Sequence, residues 1–258
     1  MSLALLVVSF GTSYEETRKK TIEAIEKDLM DAFPERTFYR AWTSGRIIKK
    51  LKETKGICYD NVPEAMERML ENGITDILIQ PTHMLPGLEF DKMKNVILSY
   101  RDRFEKMSMG EPLLTAEKDL EGLAKSIEDI FDIKDSEVLA LMGHGSAHVA
   151  FPVYEQLEKQ FQKDGHANFC VGTVEFEPGF AAVQKKVQEL KPDKVYLTPL
   201  LVVAGDHALN DMAGEDDDSW KSQLEKDGMD VTCIVKGLGE YPIIRAMYIK
   251  NAQNAKAL

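Results

Sequence analysis

The sequence predicts an α/β protein built from two similar halves, each a four-stranded parallel sheet flanked by helices. Short apolar runs rich in β-branched residues alternate with longer amphipathic stretches along the whole chain, which is the pattern of βαβ units. These runs number four in each half of the 258 residues. The halves also echo one another. Ala4–Ser13 (ALLVVSFGTS) aligns with Val138–Ala147 (VLALMGHGSA), and Ile77–Pro81 followed by Gly87-Leu88-Glu89 aligns with Val195–Pro199 followed by Gly205-Asp206-His207. Such an internal echo points to two like-folded domains with a cleft between them, assigned here as 1–125 and 126–258.

The first run, Leu3–Ser9, is apolar throughout, as befits a strand covered on both faces. It is too short to span a bilayer, has no basic residues ahead of it and no small-residue cleavage pattern behind it, so it reads as a buried strand in a cytoplasmic protein. Ser13-x-x-Glu16 has the form of a capping box opening a helix to about Met30. Thr37–Trp42 is the second strand. Pro63 at a helix start and Gly73 at its end bracket the next helix, and Thr75–Gln80 follows as the third strand. Phe90–Met107 reads as a helix and Glu111–Thr115 as the fourth strand. In the second half the predicted strands are Glu137–Met142, Asn168–Val174, Lys194–Leu200 and Asp230–Val235. The helices there are Glu117–Phe131, Val149–Gln162, Gly179–Leu190 and Tyr241–Asn251.

Bulk composition excludes several function classes. With 44% hydrophobic and 29% charged residues the chain is an ordinary folded, water-soluble protein. A net charge of −11 disfavours nucleic-acid backbones and anionic membrane surfaces as partners. Cys58, Cys170 and Cys233 are odd in number and far apart, which suits reduced thiols rather than a disulfide framework or a metal knuckle.

The stretch Gly143-His144-Gly145-Ser146-Ala147-His148 concentrates the chemistry. As a dinucleotide fingerprint it fails at His148, where close helix packing requires glycine, and Glu175 lies too far downstream to serve as the ribose acid. As a metalloprotease motif it fails because the two glycines make a turn at His144 instead of one helix through both histidines. A nucleophile elbow and a Walker A sequence are both missing, which removes the usual reasons to invoke a serine hydrolase, ATP or another nucleotide. His148 reads as a helix-capping or surface residue.

A metal site remains. His144, Glu175 and His207 each follow a predicted strand, and ends of adjacent parallel strands converge where open α/β sheets bind ligands. Two imidazoles and one carboxylate suit a divalent cobalt, nickel, iron or zinc ion and leave coordination positions open. His83, in the matching loop of the first half, either faces the cleft or serves a local turn. The run Glu215–Asp218 either feeds cations or, the favoured reading, precedes a helix whose dipole welcomes acids. Arg46, Lys49 and Lys50 form a small basic face that either holds carboxylates or is solvated.

Taken together, Val8–Ser13, Gly143–Ser146, Val174-Glu175 and Gly205–Ala208 closely resemble the ATP-independent class II tetrapyrrole chelatases of the anaerobic sirohydrochlorin cobaltochelatase type. Gln80–Met84 and His207–Gly214 extend the likeness over nearly the whole chain. The resemblance implies two Rossmann-like domains and a cleft holding a flat macrocycle. It implies insertion of Co2+ into sirohydrochlorin with release of two protons on the oxygen-independent route to cobalamin. Fe2+ or Ni2+ are alternative metals, and siroheme synthesis or a non-catalytic carrier is an alternative role. By the same likeness His144, Glu175 and His207 bind the metal, with His144 also accepting a proton and Glu89 acting as a second acidic group. Phe10, Gly11, Thr12, Ser13, His83, Gly145 and Ser146 are then substrate-binding candidates, with Phe10 offering an apolar face where the second half has His144. A homo-oligomer is left open.

Overall fold

The computed structural model describes residues 2–145 and 152–258. The chain forms two compact units, the first made of residues up to Thr115 together with Pro242–Leu258, the second of Ala116–Tyr241.

The first unit begins with β1 (Leu3–Ser9), α1 (Glu15–Lys20), α2 (Ile22–Ala32), β2 (Thr37–Trp42), α3 (Gly45–Lys55), α4 (Val62–Glu71), β3 (Asp76–Pro81), α5 (Leu88–Leu98) and β4 (Lys106–Met109). β1 is central, paired in parallel with β2 and β3, and its residues Ala4 to Val8 have no solvent exposure. This is why the run is apolar at every position: helices cover both faces of the sheet. The second unit contributes α6 (Glu117–Ile130), β5 (Glu137–Gly143), α7 (Val153–Lys163), β6 (Phe169–Thr173), α8 (Phe180–Leu190), β7 (Lys194–Pro199), α9 (Trp220–Lys226) and β8 (Val231–Cys233). Its strand order, β6-β5-β7-β8, repeats the order β2-β1-β3-β4 of the first unit, and all its pairings are parallel. The two parallel α/β units expected from the sequence echo are therefore present.

Four details differ from expectation. The fourth strand is Lys106–Met109, not 111–115, because Met107 and Met109 alternate inward with period two while the 3.6-residue pattern read from Phe90 ends at Leu98. Leu113 and Leu114 are buried, but their amides bond to the carbonyls of His83 and Met84 in the loop after β3, at 3.1 and 2.9 Å. The first predicted helix breaks at Thr21, whose hydroxyl donates to the Thr17 carbonyl at 2.6 Å, a local bond that competes with the helix ladder. Ser13 does not cap it; Tyr14 occupies the capping position. The predicted type of box does form at α4, between Asn61 and Glu64.

The fourth difference concerns the division of the chain. The expected boundary at 125/126 falls inside α6, and α10 (Pro242–Gln253) and β9 (Lys256–Ala257) return to the first unit. There β9 pairs antiparallel with β4 as a fifth strand. The fully buried Tyr248 donates to the Thr82 carbonyl at the end of β3 at 3.0 Å, and Arg245 pairs with Asp28 of α2 at 2.6 Å. An amphipathic C-terminal helix carries no signal of which sheet it covers, and these long-range contacts decide it. Tyr248→Ala is expected to destabilise the first unit by about 3–5 kcal/mol, and Tyr248→Phe, which removes the donor to the Thr82 carbonyl, by about 1–3 kcal/mol; urea unfolding of the two variants against wild type checks both.

Candidate metal centre

In the second unit the chain leaves β5 toward β6 on one side and returns to β7 on the other. The crevice outside the carboxyl ends of β5 and β7 is therefore the switch point at which open parallel sheets bind ligands. His144 follows the last residue of β5. The pairing of β5 with β6 continues past both strands: Val174 N–H donates to Gly143 and Glu175 N–H to the His144 carbonyl, at 3.0 and 3.1 Å. That register sets Glu175 beside His144. On the other side Leu200 N–H bonds to the Met142 carbonyl at 2.8 Å, and the loop after β7 is tied by Leu238 N–H to Leu201 O (2.8 Å) and Gly239 N–H to Val202 O (3.0 Å). It then enters a π-helical turn, Ala208–Met212, preceded by His207.

The three side chains meet. Their donor atoms lie within 4.8 Å of one another. His144 Nε2 is 3.8 Å from Glu175 Oε1, and the two imidazole rings stand edge to face with centroids 4.9 Å apart. Donors that each bind an ion at about 2.0–2.2 Å cannot be more than about 4.4 Å apart, so small side-chain rotations would close the set. The side chains are 47%, 48% and 32% exposed for His144, Glu175 and His207, so the donor set is open to solvent.

Sequence reading missed one partner. Asp211 Oδ2 lies 2.7 Å from His207 Nδ1, which assigns the proton to Nδ1 and leaves the Nε2 lone pair free. The signal was present in the i, i+4 spacing of His207 and Asp211 across a helical turn. His144 Nδ1 has its own backbone partner, the Gly145 carbonyl at 3.3 Å. The turn itself requires glycine: Gly145 has φ +93°, and a Cβ there would lie 2.9 Å from the Phe176 ring. Its amide donates to the Tyr154 hydroxyl of α7 at 3.2 Å. Ser146 and His148 lie outside the described residues.

The remaining candidates belong to the first unit. Phe10 is half exposed after β1, and Gly11 repeats the left-handed turn at φ +98°, against the Trp42 ring. Thr12 is buried, its Oγ1 accepting from Tyr14 N–H at 3.2 Å, and Ser13 is partly exposed. Glu89 sits in the first turn of α5 and pairs with Lys92 at 2.9 Å. His83 packs edge-on to Phe90, and both its ring nitrogens are shielded from solvent without a hydrogen-bond partner among the described residues. Burial holds its imidazole down at about 4, with the nearby Glu89 opposing. Arg46, Lys49 and Lys50 lie on α3, Lys49 pairing with Glu53 at 3.8 Å. The acidic run precedes α9 and pairs with that helix, Glu215 with Lys221 and Asp217 with Lys226, as the helix reading expects.

An α/β protein with an open histidine and carboxylate donor set at a sheet switch point belongs to the metal-handling class, and its fold is similar to that of SirB from Bacillus subtilis with Fe3+. That similarity has a TM-score of 0.66 at 14% identity, over 98% of this chain and 95% of the other. The chain belongs to the cobalt chelatase (CbiK) family, whose model matches residues 3–257. It is 38% identical over 256 residues to the sirohydrochlorin cobaltochelatase of Salmonella typhimurium, covering 99% of this chain and 97% of that protein. It is also 29% identical over 242 residues to the sirohydrochlorin cobaltochelatase CbiKC of Nitratidesulfovibrio vulgaris, covering 92% and 84%.

Asp211→Ala is expected to weaken Co2+ binding about 10–100-fold, the usual effect of removing the partner of a ligating histidine, as read by isothermal titration of the folded variant. His83 generates a pH prediction. The imidazole is neutral in the folded state down to about 4 but takes up a proton in the unfolded chain below its ordinary 6.5. The unfolded state therefore binds more protons in that window, and stability falls as pH drops through it, by roughly 3 kcal/mol in all. Carboxylates titrate in the same range, so the check is the difference between wild type and His83→Leu in urea midpoint from pH 7 to pH 4.

Proposed function

We propose that this chain inserts Co2+ into sirohydrochlorin without ATP, releasing two protons, as a step in cobalamin synthesis. The observation that carries the reading is the open set of His144, Glu175 and His207 in a chain of the cobalt chelatase family. The metal is a substrate here, so its ligands must hold it and then let it go. Solvent-accessible side chains on three separate chain segments do this better than a closed, buried cage. The donor types accept cobalt, iron and nickel alike, so Fe2+ and Ni2+ are expected to compete at the same site.

Insertion exchanges ligand nitrogens for macrocycle nitrogens and frees the pyrrole protons. With Nδ1 of His144 turned to the Gly145 carbonyl, its Nε2 is the ligating atom. As the ion passes to the ring, that lone pair becomes available to accept a pyrrole proton, and Glu175 at 3.8 Å faces the resulting imidazolium. One atom thus serves first as ligand and then as base. Glu89, the counterpart of His207 in the sequence echo, is assigned as a second acidic group. Phe10 to Ser13, His83 and Gly145 are assigned to the macrocycle, as is Ser146 on sequence grounds. The exposed Phe10 ring supports this. In the same reading the enzyme works in a reducing cytoplasm, in keeping with three cysteines that are free thiols; no helix among the described residues is long and apolar enough to cross a membrane.

With sirohydrochlorin and Co2+ in excess over protein, the absorbance change of the macrocycle is expected to continue through many turnovers. Saturation at one equivalent would mean a carrier. His144→Ala is expected to lose at least about 100-fold in kcat, the scale of a removed acid–base group, and a near wild-type rate would overturn the assignment.

A further inference from the structure

One exposed aromatic side chain borders the metal donors in the second unit. Phe176 is 40% exposed and follows Glu175. Single exposed apolar residues are common on protein surfaces. This one differs because it packs against the turn that carries His144. Phe176 is also held. The Thr173 hydroxyl donates to its carbonyl, and its ring packs on Gly145, where a Cβ would come within 2.9 Å of Cδ2. Gly145 adjoins His144, so the ring lies beside two of the three donors. Thr173 is itself buried and its amide is bonded to the Pro178 carbonyl at 2.7 Å, so the turn that carries Phe176 is anchored at both ends.

A tetrapyrrole takes up an ion at its centre. When the nitrogen centre reaches the ion, the surrounding apolar ring face must lie over whatever borders the donors. Among the described residues, the exposed large apolar group packed against a donor-bearing turn is Phe176. We infer that Phe176 forms a shelf for the flat, apolar face of the macrocycle, setting affinity for the tetrapyrrole but not for the metal. The inference rests on the chelatase reading. An aromatic ring offset-stacked under a π-system buries apolar surface without desolvating a charge. The carboxylates on the macrocycle rim remain free to stay hydrated.

The test compares wild type with Phe176→Ala, Phe176→Leu and Leu209→Ser. Each is titrated separately with metal-free sirohydrochlorin, followed by its absorbance, and with Co2+ alone, followed by calorimetry, and steady-state rates are then measured. Phe176→Ala is expected to raise Kd and KM for sirohydrochlorin about tenfold or more, the scale of exposing an aromatic side chain. Its Co2+ affinity stays within about twofold of wild type, a change of under half a kcal/mol, and kcat at saturating sirohydrochlorin falls less than KM rises. Phe176→Leu, which keeps an apolar side chain but loses the ring face, raises Kd about threefold and serves as the readout if Phe176→Ala fails to fold. Leu209→Ser, an exposed apolar residue on a separate turn, is the control and leaves the sirohydrochlorin affinity within about twofold of wild type. Unchanged sirohydrochlorin affinity in the folded Phe176 variants, with wild type binding and turning over, overturns the shelf alone. Wild type that neither binds nor metallates sirohydrochlorin overturns the chelatase reading, and the shelf with it.

Discussion

The metal centre depends on the parallel pairing of β5 with its two neighbours being carried beyond the strands themselves. Glu175 N–H on the His144 carbonyl extends the ladder toward β6, and Leu200 N–H on the Met142 carbonyl extends it toward β7. Parallel ladders fix adjacent chain segments about 4.7–4.9 Å apart, close to the spread of the donor atoms. The placing of Glu175 beside His144 is thus a by-product of sheet register, whereas His207 is brought in by the loop and π-helical turn that follow β7. A one-residue slip of β6 against β5 would place Val174 or Phe176 where Glu175 stands.

The rest of the centre tunes that delivery. Asp211 orients the His207 ring, the left-handed turn at Gly145 lets the chain leave β5 without covering His144, and Tyr154 ties that turn to α7. The donors themselves stay half exposed. A buried, fully packed site would hold an ion more firmly and release it more slowly, which suits a structural metal and not a transferred one. The two units share one strand order but not one chemistry. In the sequence echo, Phe10 corresponds to His144 and Glu89 to His207, so a single scaffold carries an apolar turn in one copy and a ligand turn in the other.

Much of this was legible before any coordinates. Continuous apolar runs such as Leu3–Val8 and Val138–Met142 mark central parallel strands because no alternation is required when both sheet faces are covered. His144 was a candidate because it stands at the end of such a run, where the strand-end crevice lies, and Glu175 and His207 because they come after later strands and match the chelatase resemblance. Asp211 was overlooked because acids are frequent on exposed turns, and only the position of the His207 ring singles one out. The β4 strand was misplaced because Met107 and Met109 prolong the apolar pattern of the preceding helix, while the apolar Leu113 and Leu114 spend their amides on a loop instead of the sheet.

The sequence by itself determined the α/β class and the repeat, since these follow from local periodicity, and it singled out His144, Glu175 and His207 as candidate donors from their place after strands and from the chelatase resemblance. Tertiary structure alone decided which sheet the last helix covers, where the fourth strand of the first unit lies, which nitrogen of His207 is free to ligate, and that Phe176 stands exposed against Gly145. Each of those depends on a contact between segments far apart in the chain, or on the orientation of one ring, and neither is encoded in the pattern of nearby residues.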